Sequence, residues 1–193
     1  MVKNFDMMRG EETELMGVTE KLQADCLYVL PGSHSKLVLT NSEEKICEFS
    51  TELTGELISC VSNNTILRSS VDLNTKAIDE KYLQKGYAFA KKKGINAAFF
   101  KVRILDKLLC CSKEEVYSFF IGAALAPEIE NIINSTAKRI IICGKRELKN
   151  PTAVLVGNNS NKVIEVVDDN ITEHAAAYGI IRLYEYKCYK MEK

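Results

Sequence analysis

Three acidic side chains and a cation surround one glycine in the segment Met8-Arg9-Gly10-Glu11-Glu12-Thr13-Glu14-Leu15-Met16-Gly17. Carboxylates at the start of a helix can simply complement its dipole, an effect of about 0.3–1 kcal/mol each. Beside a glycine that lets a ligand approach closely, the same carboxylates can accept a proton. The turn Pro31-Gly32-Ser33-His34-Ser35-Lys36 is a second candidate. Successive backbone N–H groups in a Gly-Ser turn form a concavity for anions, and Ser hydroxyls and a Lys add donors. An ordinary hairpin loop has the same composition. Thr54-Gly55-Glu56 places a carboxylate at a strand-to-helix junction, and Gly144-Lys145 follows an apolar run. Crevices beyond the carboxyl ends of buried strands are common ligand sites. Gly144-Lys145 does not complete a P-loop, because Arg139 and Arg146 stand where glycine and a hydroxyl residue are required. His174 reads as a structural residue on an alanine-rich helix face, and Lys91-Lys92-Lys93 as cations facing terminal helix carbonyls.

These groups need a scaffold. Residues 10–24 read as a helix, with Leu15, Val18 and Leu22 at three- and four-residue steps. Cys26–Leu30, Lys36–Thr40 and Lys45–Phe49 read as three strands whose short connections predict an antiparallel meander. Helices are predicted near 55–63, over Ile78–Lys93 with Gly94 as C-cap, and from Ser112 to about Asn134 behind a Ser112-x-x-Glu115 capping box. Pro127 is expected to kink or break the last of these. Arg139–Cys143 and Val163–Val167 read as strands buried on both faces. Asn150-Pro151 reads as an N-cap with proline in the first turn, and Thr172–Tyr186 as a closing helix. The whole predicts a mixed α/β layer fold, with antiparallel N-terminal strands, buried strands, and helices packed on the sheet. Without repeats or a Pro/Gly-rich linker, the expectation is one domain over residues 1–193.

Composition narrows the partners. The chain has 193 residues, with 26 Lys+Arg balancing 26 Asp+Glu, and 46% are hydrophobic. A zero net charge argues against nucleic acid, and no apolar run of about 18 residues suggests a membrane span. Residues 1–17 lack the apolar stretch of a signal peptide. The seven cysteines never fall in Cys-x-x-Cys, so reduced thiols in a cytoplasmic protein are expected, not a disulfide framework. Two histidines without ligand spacing exclude a zinc-finger pattern.

Taken in order, Met8–Gly17, Leu27–Lys36, Thr54-Gly55-Glu56-Leu57 and Ile140–Gly144 resemble the 2-keto-3-deoxygalactonokinase (2-dehydro-3-deoxygalactonokinase) family. Its members carry MRGEET-Q-L-G, LYV-PG-H-K and TGEL segments, then a buried strand ending in glycine. The resemblance implies the sugar-kinase/Hsp70/actin architecture of two ribonuclease-H-like lobes closing on ATP and a sugar acid. It implies only the second, C-terminal lobe here. The Asp-x-Gly-Ser-Thr hairpin that opens the family's N-terminal ATP-phosphate lobe does not occur in the sequence.

Family logic then supplies roles. Glu11 is the counterpart of the base that accepts the proton of the attacking hydroxyl, with Glu12 the lesser alternative. Gly32, Ser33, His34 and Ser35 match the second phosphate-binding hairpin. Gly144, with Lys145, matches the glycine flanking adenosine. Arg9, Glu12, Lys36 and Glu56 are candidates for binding the sugar acid. ATP and Mg2+ are implied as cofactors, with no metal held by protein side chains alone. The family's glycine is followed by small hydroxyl residues, whereas Gly144 meets Lys145-Arg146-Glu147. Two functions follow. One is a sugar-acid kinase lobe that phosphorylates 2-dehydro-3-deoxy-D-galactonate, or a related keto-deoxy acid, at the 6-hydroxyl once complemented. The other is an inactive remnant that binds a sugar acid or a protein. Expected partners are the sugar acid and either an N-terminal kinase lobe or a second copy of the chain, with no nucleic acid and no membrane.

Overall fold

The computed structural model of the protein describes residues 6–19, 21–75, 77–144 and 146–191. Apolar runs rich in β-branched residues build one sheet from β1 (Cys26–Leu30), β2 (Ser35–Thr40), β3 (Ile46–Glu52), β4 (Arg139–Ile142) and β5 (Val163–Val166). The predicted meander forms: β1 and β2 pair antiparallel with Tyr28 opposite Val38, and β2 and β3 with Val38 opposite Phe49. β4 then lies parallel to β1, with Ile141 beside Tyr28, and β5 parallel to β4. The strand order is β3-β2-β1-β4-β5. The carboxyl ends of β1, β4 and β5 therefore share one edge of the sheet, where the chain leaves at Pro31, Cys143 and Val167.

The described residues form two compact units interleaved in sequence, where the sequence predicts a single domain. The first comprises 1–52, 136–149 and 163–193, and the second 53–135 and 150–162. No linker marks the boundary because the second unit consists of insertions between consecutive strands of the sheet, β3 to β4 and β4 to β5.

In the first unit, α1 (Glu11–Val18) and α7 (Asp169–Met191) pack together. A Cβ on Gly17 would lie 1.6 Å from the Ala175 carbonyl oxygen, and one on Gly179 would lie 1.9 Å from that of Thr13. The two backbones touch through reciprocal glycines. Arg182 of α7 donates to the carbonyls of Met16 (2.7 Å), Gly17 (3.3 Å) and Thr19, closing the C-terminal end of α1. Leu15, Tyr28, Leu30, Val38, Ile141 and Cys143 form the core on one face of the sheet. Burial pushes the Cys143 thiol up to about 12, and Cys26, Cys47, Cys60, Cys110, Cys111 and Cys143 are free thiols.

The second unit is helical: α2 (Thr54–Asn64), a 3-10 turn (Ile66–Ser69), α3 (Glu80–Lys93), α4 (Ile95–Lys107) and α5 (Lys113–Asn134). Asp79 caps α3 by accepting the Tyr82 N–H at 2.8 Å, and Gly94 ends that helix with φ 85°. The predicted capping box of α5 is present: Ser112 and Glu115 each accept the other's backbone N–H. A reciprocal arrangement recurs here: Gly86 of α3 abuts the Phe119 carbonyl of α5, and Gly122 of α5 abuts the Leu83 carbonyl of α3.

Four local expectations are corrected, and one helix is added to them. Pro127 does not break α5, which runs unbroken through it for 22 residues. Helix α4 was not predicted, since its N-cap, Gly94, offers no side-chain bond. α6 (Arg146–Asn159) begins before Asn150 and holds Pro151 inside it, because Glu147, Leu148 and Lys149 are themselves good helix formers. β5 is an edge strand with Val163 60% and Val166 45% exposed, so its apolar run does not mean burial on both faces. Finally, α5 is long and apolar enough to cross a membrane by length and composition; 78% of that stretch is buried, as in a core helix.

Candidate active site

Beyond the carboxyl ends of the three parallel strands, the first unit holds a cleft of about 750 Å³. Glu11 and Glu14 line it from α1, and Leu30 to His34 from the β1–β2 turn. Gly144 and Glu147 line it where β4 gives way to α6, and Asp169, Thr172, Glu173 and Ala176 from α7. Parallel strands end there by topology, so three strand-to-helix or strand-to-turn connections converge on one opening.

Glu11 sits in the first turn of α1, where exposed backbone N–H groups favour an anion. Its carboxylate accepts the Arg9 N–H at 2.6 Å and lies 3.8 Å from the Lys36 ammonium. Partial burial pushes its pKa up. The Arg9 and Glu11 backbone hydrogen bonds and the Lys36 and Arg9 charges outweigh this, and the net shift is downward. Glu11 is therefore ionised at neutral pH and able to accept a proton. Lys36, 4% exposed, spends its ammonium on the Met7 carbonyl and the Thr51 hydroxyl, both at 2.7 Å. It stands behind Glu11, outside the cleft lining, and fixes the carboxylate in place.

Across the cleft, Gly32, Ser33 and His34 form its wall, with Ser33 and His34 exposed. Ser35 is fully buried beneath them, and its hydroxyl accepts the Gly32 N–H at 3.3 Å. Gly144 has φ 101°, a conformation that disfavours any side chain. A Cβ there would also lie 2.7 Å from the Pro31 carbonyl oxygen. Glycine is thus dictated by the close approach of the β4 end to the β1 end.

The structure therefore brings together Glu11, Gly32, Ser33, His34 and Gly144 of the sequence-predicted residues. Arg9 is exposed, with its backbone on Glu11; Glu12 is exposed and accepts the Gly10 N–H at 2.9 Å. Neither lines the cleft. Glu56 is exposed in the first turn of α2, in the second unit. Lys145 lies outside the described residues. Glu14, Glu147, Asp169, Thr172 and Glu173 line the cleft without having been predicted. Their signal was the recurrence of strand, short turn and acidic helix start after β4 and β5, which by itself reads as dipole compensation. His174, expected to be structural, has its Nδ1 2.9 Å from the Asn170 carbonyl one turn earlier.

The cleft is acidic: five carboxylates line it, and the described lining residues include no Lys or Arg. Among the described residues no group of three or more His, Cys, Asp or Glu is placed to hold a metal ion. The carboxylates can accept hydrogen bonds from hydroxyl groups, and the negative lining disfavours a bare anion.

Comparisons with known proteins bear on this geometry. A family model described as 2-keto-3-deoxy-galactonokinase matches residues 1–182. The 2-dehydro-3-deoxygalactonokinase of Escherichia coli (strain K12) is 29% identical over 134 residues, 67% of this chain and 43% of that protein. A Rhizobium meliloti (strain 1021) protein assigned as a 2-dehydro-3-deoxygalactonokinase is 43% identical over 67 residues, 34% of this chain and 22% of its own length. A solved Sinorhizobium meliloti structure with the same assignment superposes with a TM-score of 0.75 at 24% identity, covering 91% of this chain and 58% of that one. The last likeness speaks to the fold. The matches span less than half of each curated relative.

Proposed function

The chain belongs to the 2-keto-3-deoxy-galactonokinase family, and from that premise we propose that it is a cytoplasmic sugar-acid kinase lobe. It phosphorylates 2-dehydro-3-deoxy-D-galactonate, or a related keto-deoxy acid, at the 6-hydroxyl when the remainder of the kinase fold is supplied. The strand order β3-β2-β1-β4-β5 supports reading the first unit as a ribonuclease-H-like lobe. A single observation carries the functional reading: a base-competent carboxylate, Glu11, and the Gly32–His34 turn line the same cleft as Gly144.

Bound ATP supplies the phosphoryl group, and its Mg2+ offsets the phosphate charge. The chain's own residues position and deprotonate. Glu11 accepts the proton of the attacking hydroxyl at its carboxylate, which the Arg9 N–H and Lys36 hold still. The Gly32–His34 turn offers backbone to phosphate oxygens, and Gly144, lacking a side chain, lets the end of β4 close against Pro31 at the cleft wall. Glu147, Asp169 and Glu173 receive hydroxyl donors.

The test is complementation. The chain is mixed with the part of the Escherichia coli relative that its match leaves uncovered, and 6-phosphate formation is followed with ATP, Mg2+ and 2-dehydro-3-deoxy-D-galactonate. Turnover that depends on both components is expected. A second reading is favoured by the incomplete match to the relatives: a module that binds a sugar acid or a protein without transferring phosphate. Sugar-acid binding with no turnover under complementation supports it, since one lobe alone cannot align donor and acceptor.

A further inference from the structure

Lys149 is among the largest fully buried side chains of the protein, 2% exposed, yet it is a lysine. It lies in the second turn of α6, five residues after Gly144. Its ammonium donates to the Val167 carbonyl at 2.8 Å and to the carboxylate of Asp169. Val167 in turn donates its N–H to the Ile142 carbonyl at 2.9 Å, at the end of β4. Lys149 thus straps the β5–α7 turn to the strand ends that floor the cleft. Asp169 opens α7 and lines the cleft with Thr172 and Glu173.

Burying an ammonium is costly unless it is paired and hydrogen-bonded, and here both conditions are met. The pairing has an electrostatic consequence. Of the five carboxylates lining the cleft, Asp169 pairs with buried Lys149 as Glu11 does, at 3.8 Å, with buried Lys36. A buried charge is weakly screened, so Lys149 offsets one negative charge of a cleft that otherwise repels anions.

We propose that Lys149 is a positioning residue of the cleft: through Asp169 it fixes the first turn of α7 and lowers the negative charge that a polyanionic ligand meets. This rests on reading the cleft as a nucleotide site. A unit charge about 10 Å from a ligand charge, at an effective dielectric of about 20, alters affinity on the order of tenfold.

The experiment compares Lys149→Met, Lys149→Arg, Asp169→Asn and the double variant Lys149→Met/Asp169→Asn with the unaltered protein. Calorimetry gives affinities for MgATP and for uncharged adenosine, and hydrogen exchange gives protection of the 169–173 amides. Lys149→Met should weaken MgATP about tenfold and adenosine less than twofold, and exchange at 169–173 should speed up. Lys149→Arg, which keeps the charge, should preserve the ATP-to-adenosine ratio. The double variant, neutral at both positions, should regain most of the MgATP affinity. Should Lys149→Met fail to fold, Asp169→Asn still decides, with MgATP expected to tighten severalfold relative to adenosine. Equal losses of both ligands without recovery in the double variant would overturn the proposal and leave only a structural strap. Unchanged exchange at 169–173 in Lys149→Met would overturn it whatever the ligands do. If the unaltered protein binds neither ligand, the nucleotide reading falls while the exchange measurement still decides the positioning claim.

Discussion

The carboxylate of Glu11 is half-withdrawn from water, takes the Arg9 N–H at 2.6 Å and lies 3.8 Å from a buried ammonium. In a complemented kinase, Glu11→Gln keeps this shape and removes the proton acceptor, so turnover should fall by about 10²–10⁴-fold. Product formation under saturating substrate is the measurement. The same carboxylate has a signature in stability. Its folded pKa lies below the ordinary 4.5, so its contribution is fully present above about pH 4.5 and is lost as pH falls through the folded value. Urea midpoints from pH 7 to pH 3 should show the difference between the unaltered protein and Glu11→Gln shrinking over that window. Lys36→Met should destabilise by about 3 kcal/mol, since it strips the Thr51 hydroxyl, the Met7 carbonyl and Glu11 of a buried donor. Lys36 also shows what residue types cannot announce. In the sequence it is a cation beside a Gly-Ser turn, suited to a substrate carboxylate; its alternation along β2 points it inward, onto internal acceptors.

Helices α1 and α7 form the frame on which Glu11, Glu14, Asp169 and Glu173 face one another. Their contact leaves no room for a methyl group: Gly179→Ala would put a Cβ 1.9 Å from the Thr13 carbonyl oxygen. That variant should lose about 1–3 kcal/mol in denaturant unfolding, and amides of α1 should lose protection with it. Periodicity and capping made most elements legible. The Ser112 box, the Gly94 stop and the three meander strands follow from local chemistry alone. The misses have physical causes. α4 starts on a glycine with no side chain to cap it, although Ala98, Val102 and Leu105 give it a buried stripe. β5 is apolar without being central, because strand composition does not encode position in the sheet. Half of the cleft wall was illegible for a related reason. Acids at the start of α6 and α7 look like dipole compensation until the sheet order brings both helix starts to one edge.

At the scale of the whole molecule, the topology does what no local pattern could. Segments near residues 11, 32, 144 and 169 are distant in sequence, and the parallel alignment of β1, β4 and β5 gathers them around a single opening. The order of the motifs along the chain foretold the family but not the acidity of the cleft, which depends on side chains contributed by two later helices. The match spans 43% of the Escherichia coli relative, and the proposed function is tested in a complemented assembly. The most direct test is phosphoryl transfer to 2-dehydro-3-deoxy-D-galactonate by the complemented chain, with and without Glu11→Gln. The account predicts turnover with Glu11 and at least a hundredfold loss in the variant. Equal turnover by the two would contradict it.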